Sequence, residues 1–107
     1  GRADLAGLRA LLVAAGLPHG GTGQTLALKV PLVIWDGATL DLGPGDVLEL
    51  SRSDGAFVMN FGYLRMQGAT ILSAGGPNPH SPSFRPFVTT ADSGTVAVRG
   101  ATFSGLG

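Results

Sequence analysis

Arg85 stands between Phe84 and Pro86, and that setting makes it the residue of this chain best placed to do chemistry. A guanidinium presented by a stiff, partly apolar segment can clamp a carboxylate through two parallel hydrogen bonds. The competing reading has Arg85 bonding loop carbonyls to hold the preceding segment down. That reading is favoured, because a buried arginine is normally paired. His80, in the same stretch, is the second candidate for contact with a substrate. The only other histidine, His19, is remote in sequence, and neither has an acidic neighbour to orient its ring. Both therefore read as loop histidines before they read as catalysts or metal ligands.

The remaining polar residues point to less. Arg65 and Arg99 fall just before two similar glycine-containing units and read as solvated strand arginines. Asp36, Asp41, Asp46 and Glu49 are scattered over turns and strand faces. They match neither a calcium loop nor the acid pair of a glycoside hydrolase. Trp35 and Tyr63 are the sole candidates for stacking on a sugar ring, whereas Phe57, Phe84, Phe87 and Phe103 read as core. Asn60 is expected to bond along a corner of the structure. No cofactor and no metal site is implied, and the absence of cysteine excludes a disulfide framework or a thiolate site.

The elements that must position these residues are short. With 107 residues the chain is one domain or part of one. Charged residues make up 13% and balance to zero, so the basic field that non-specific nucleic-acid binding needs is missing. Eighteen glycines and seven prolines in a chain that is still 44% hydrophobic point to many short strands and tight turns, since disorder would need a poorer apolar content. The longest early apolar run, Leu11 to Ala15, is too short to span a bilayer.

Asp4 to Ala15 carries leucines three and four apart, with Asp4 placed as N-cap and Gly16-Leu17-Pro18 placed as the stop. This is the one expected helix, and its apolar stripe is expected to cover the end of a sheet stack. His19 to Gly23 reads as a flexible connector. From Leu26 onward the period falls to two, in runs at Leu26–Val30, Leu32–Ile34, Leu40–Leu42, Val47–Leu50, Phe57–Met59, Leu64–Met66, Ile71–Leu72, Phe87–Thr90 and Val96–Val98. Gly75 to Ser83, rich in proline, breaks the rhythm as an inserted loop.

A tetrapeptide Gly-Ala-Thr-apolar recurs at Gly37–Leu40, Gly68–Ile71 and Gly100–Phe103, at offsets of 31 and 32 residues. Repetition at that period, with strands this short, leads to an all-β right-handed parallel β-helix with an N-terminal capping helix. Residues 1–25 would form the cap and linker, and 26–107 the first coils. A small sandwich or jelly roll is the alternative fold. The start at Gly1 and the stop just after a repeat unit suggest a segment of something longer. Open ends of such a stack would also favour self-association.

The order Gly55-Ala56-Phe57-Val58-Met59-Asn60, then Leu64-Arg65-Met66, the proline-interrupted loop, Phe84-Arg85-Pro86-Phe87, Gly94-Thr95 and Thr102-Phe103 resembles the polymannuronate (alginate) C-5 epimerases of the periplasmic type. The resemblance runs over about Val47–Gly107. It implies a parallel β-helix acting on an anionic uronate polysaccharide, in a periplasmic or exported protein. Epimerisation at C5 requires a cation to mask the sugar carboxylate, a base to take the C5 proton and an acid to return one from the other face. The family's catalytic motif, of Asp-Pro-His-Asp type, is not in this chain. Asn78-Pro79-His80 is the nearest string and lies on the wrong side of Phe84–Phe87, so catalysis is not carried onto it. Two functional expectations follow. One is a front segment of an epimerase-like protein, inactive alone; the other is a non-catalytic module that binds polysaccharide or scaffolds export.

Overall fold

Asp4 starts the only helix, α1 (Leu5–Ala14), by accepting a hydrogen bond from the Gly7 N–H at 2.7 Å. The helix ends where Gly16 takes a left-handed conformation, φ 66°. There Gly16 N–H donates to the Val13 carbonyl and Leu17 N–H to the Leu12 carbonyl, so two of the last free carbonyls are satisfied. Leu5, Leu8 and Leu12 form its buried face. Each such burial stabilises by about 2 kcal/mol, and packing on neighbours supplies what a ten-residue helix lacks alone.

The computed structural model describes all 107 residues. Twelve short strands accompany the helix: β1 (Arg2–Asp4), β2 (His19–Gly20), β3 (Thr25–Leu28), β4 (Leu32–Ile34), β5 (Thr39–Leu42), β6 (Val47–Ser51), β7 (Val58–Asn60), β8 (Tyr63–Gln67), β9 (Thr70–Ala74), β10 (Val88–Thr90), β11 (Thr95–Arg99) and β12 (Thr102–Ser104). They form three sheets in the orders β1-β5-β8-β11, β10-β7-β4 and β12-β9-β6-β3-β2. From β3 onward each strand pairs in parallel with the strand three later, so the chain visits the three sheets in turn. The β2–β3 pair alone is antiparallel.

The expected all-β right-handed parallel β-helix is corrected by this arrangement. The molecule is a compact body of 34 × 29 × 24 Å in which three parallel or mixed sheets and a helix share one core, as α/β-type folds combine them, in place of an all-β solenoid extended along one axis. The physical reason lies in α1 and β2. The helix leucines enter the same hydrophobic cluster as Leu40 and Leu42 of β5. His19–Gly20, expected as a flexible connector, turns back along β3 and makes its sheet mixed.

Alternation along each strand decides which side chains reach that cluster. Leu26, Leu28, Leu48, Leu50 and Ile71 come from one sheet, Leu40, Leu42, Leu64 and Met66 from the second, and Ile34 and Val58 from the third. The Gly-Ala-Thr repeats are only partly equivalent. Gly68 and Gly100 stack, both at φ 63°, with Thr70 paired to Thr102. Gly37 instead precedes β5, at a different corner.

Candidate binding face

Because inward positions of the four-stranded sheet are apolar, the alternate positions all project outward and collect the polar residues on one surface. Arg2, Thr39, Tyr63 and Thr95 lie at one register across β1, β5, β8 and β11. Asp4, Asp41, Arg65 and Ala97 lie at the next, and Gln67 faces Arg99 beyond them. The molecule's one ion pair joins Arg2 to Asp41 on this face. Asp4 is occupied in capping α1. Arg65 and Arg99, both exposed, make no hydrogen bond or ion pair.

The charge on this sheet is therefore uneven. Acids and their partner occupy the β1–β5 half, and two free guanidinium groups occupy the β8–β11 half. Strand spacing and rise separate their attachment points by roughly 8 Å. Two shallow depressions adjoin at Arg65, one lined with Arg2, Thr39 and Tyr63, the other with Gln67, Ala97 and Arg99. The arrangement can hold anionic groups from above by hydrogen bonding and charge. It offers no nucleophile or paired acid and base, and no three His, Asp or Glu side chains converge anywhere in the molecule.

The residues singled out from the sequence lie elsewhere. Arg85 is exposed and its guanidinium is unpaired. The work of holding the proline-rich loop belongs instead to Arg52, whose Nε donates to the Phe84 carbonyl at 3.0 Å and whose Nη2 donates to the Pro82 carbonyl at 2.9 Å. Asn78 helps, donating to the Ser53 carbonyl and accepting from the His80 and Ser81 N–H groups through its Oδ1. The His80 ring is exposed and has no partner, while His19 Nδ1 lies 2.9 Å from the Leu17 carbonyl. No hydrogen bond links His80 to Arg85.

Asn60 is a buried corner residue. Its Nδ2 donates to the Thr95 carbonyl at 2.9 Å and its Oδ1 accepts from Gly62 N–H at 3.0 Å. Ile34 and Thr90 occupy the equivalent positions in β4 and β10, so no asparagine ladder forms. Trp35, 67% exposed, stacks on Phe61 with ring centroids 5.8 Å apart. Phe57 stacks on Phe87 at 4.8 Å. These pairs flank the strands of the three-stranded sheet. The signal that finds the free arginines is period two: Arg65 and Arg99 are polar positions within otherwise inward-facing apolar runs.

Comparison with family models, with curated proteins and with solved structures gives no match. No helix is long and apolar enough to cross a membrane.

Proposed function

We propose that this chain is a binding module for an anionic, uronate-type polysaccharide, serving a polysaccharide-modifying protein of the mannuronan C-5 epimerase kind. The observation that carries the reading is the pair of unpartnered guanidinium groups, Arg65 and Arg99, on one flat outward face beside Tyr63 and Gln67. Sugar carboxylates suit guanidinium forks, and the hydroxyls of Thr39, Thr95 and Tyr63 can bond the ring hydroxyls between them. A flat sheet face also accommodates a chain polymer without enclosing its ends. Binding is the form of the function that these residues support, because the face holds no acid–base pair for C5 proton transfer.

The test is calorimetric titration with oligomannuronate at low and at physiological salt. Exposed charge pairs contribute about 0.2–1 kcal/mol each, so the Arg65→Ala/Arg99→Ala double variant should weaken binding roughly 2- to 30-fold. Added salt should weaken binding of the parent more than binding of the variant. Equal affinity for a neutral oligosaccharide of the same length, or an undiminished double variant, would refute the reading. Arg85→Ala and His80→Ala separate this face from the proline-rich loop: loss of binding there and not at Arg65 would move the site to the loop.

A further inference from the structure

The outward positions of the three-stranded sheet carry no charge. In β4 and β7, Ile34, Val58 and Asn60 turn inward and are buried, so Val33 and Met59 turn outward. The alternation runs past the strand ends, because Trp35 stacks on Phe61 and Phe57 on Phe87 across neighbouring strands. Phe84 extends the second pair edge-on, with its ring centroid 6.3 Å from that of Phe87. Thr89 supplies the one hydroxyl on this face. The face lies on the flank of the stack, and a further strand at either edge of the sheet would lengthen it without covering it.

Charges of opposite sign border its two ends. Lys29 and Arg85 stand two residues before Pro31 and Phe87, where the β4 and β10 segments enter the face. Asp36 and Asp92 follow Trp35 and Ala91, where the same segments leave it. All four are exposed, and none belongs to the molecule's one ion pair. The aromatic rings narrow the choice of occupant. Rings stacked from strand to strand turn their edges outward, whereas a pyranose stacks on a ring's face. Hydrogen-bonding groups are also too few here to hold a sugar. An apolar protein surface with a complementary charged border fits better.

We propose that this face is the interface of a weak symmetric dimer with a second copy of the chain. A twofold axis lying between the two faces, across the strands at Met59, runs each strand antiparallel to its own copy. Lys29 then lies over the partner's Asp36 and Arg85 over the partner's Asp92. Phe57 meets the partner's Phe61, and Met59 meets its own copy. The other choice of axis, along the strands, would set Lys29 over the partner's Arg85, so charge selects the first. Aligned sheets pack in this way about 10 Å apart. Strand spacing and rise give the outward positions a footprint of roughly 15 × 17 Å. With the Phe84 ring and the charged ends, each partner covers about 400–600 Å². That is less than the ~800 Å² per partner of a standard interface, so the dimer is weak and reversible. The four-stranded face stays uncovered, and the inference is independent of the polysaccharide reading.

Light scattering should show the mass climbing from 10.8 kDa towards twice that value as concentration rises through about 10–500 µM. Met59→Lys sets like charges together at the axis and should hold the protein at the single-chain mass with an unchanged far-ultraviolet spectrum. Arg85→Asp should weaken dimerisation at least about threefold, because the twofold counts each contact twice. Arg85→Asp/Asp92→Arg, which exchanges the two ends of β10, should restore it. The chain has no cysteine of its own. Thr89→Cys should therefore couple through a short bismaleimide, while Tyr63→Cys, outward on the four-stranded sheet, stays uncoupled. A single-chain mass still at about 1 mM, no recovery in the exchanged double variant, or equal coupling at both cysteines would each overturn the proposal. Binding of phosphatidylcholine vesicles by a chain that stays monomeric, lost in Met59→Lys, would overturn it in favour of a lipid surface.

Discussion

Replacing Asn60 by alanine removes the side chain that closes the corner between β7 and β8. Its two closest partners are left behind, the Gly62 N–H, bonded at 3.0 Å, and the Thr95 carbonyl, bonded at 2.9 Å, with Thr90 Oγ1 a longer third at 3.5 Å. Asn60 itself is fully buried, while Gly62 is half-buried and Thr95 lies at the surface, so water can satisfy its partners in part. An unsatisfied buried group costs about 1–3 kcal/mol, and partial access of water keeps the loss for the corner near the lower half of that range, roughly 1–2 kcal/mol. A small domain loses about 1–3 kcal/mol per molar urea, so the midpoint should fall by roughly 0.5–1 M at fixed protein concentration. Asn60→Asp sharpens the test. It keeps an acceptor for Gly62 but directs a carboxylate at the Thr95 carbonyl, so burial and repulsion favour the protonated form in the folded state. A carboxyl whose folded pKa is raised stabilises below the unfolded carboxylate range and loses that contribution as pH rises through the folded pKa. Asn60→Asp should therefore recover stability relative to the parent on acidification, whereas the deficit of Asn60→Ala stays constant. An alanine variant within about 0.5 kcal/mol of the parent, or an aspartate deficit independent of pH, would refute the reasoning.

Arg52→Ala should release the proline-rich loop by removing both clamps on the Pro82 and Phe84 carbonyls. A local loss of about 1–2 kcal/mol raises chymotryptic cleavage after Phe84 roughly 5- to 30-fold. Arg52→Lys should not restore protection, since one ammonium cannot fork between two carbonyls; unchanged cleavage in either variant would show that the loop is held otherwise. Gly62→Ala should be among the most damaging single-methyl additions, by more than about 2 kcal/mol. A Cβ there runs into the backbone carbonyls of Trp35 and Ala38, which cannot rotate away. Gly76→Ala, facing open space, is the neutral control, and equal melting of the two would contradict the packing at this corner.

How much of this architecture was legible beforehand can be followed residue by residue. The helix was readable from leucine spacing and from Asp4 and Gly16, because its hydrogen bonds join residues three to five apart. The apolar runs from Leu26 to Val98 each coincide with a strand, because alternation is a local property. β1, β2 and β12 are not legible as apolar runs: Arg2–Asp4, His19–Gly20 and Thr102–Ser104 are strands by pairing with β5, β3 and β9. The three Gly-Ala-Thr units looked equivalent, but only two share a corner. Arg85 looked like the loop's anchor because phenylalanine and proline flank it. Arg52, 32 residues before Phe84, performs that role from the neighbouring layer.

The free arginines show the same division. Alternation in Leu64-Arg65-Met66 says that Arg65 faces outward, and nothing local says whether a carboxylate waits there. Register supplies the answer: Asp41 lies opposite Arg65, yet Arg2 from the first strand takes it. By itself the sequence determined roughly where α1 and the strands β3 to β11 lie, which face of each is apolar, and that no acid–base constellation is carried on one element, since these rest on contacts between near neighbours. Tertiary structure alone decided which arginine clamps the loop, which arginines stay free, and why Leu48 is fully buried while Phe103, two strands along the same inward column, lies half exposed. An inward-facing side chain is buried only when another layer covers it, and from β3 onward each strand meets its parallel neighbour across 22 to 32 residues of chain.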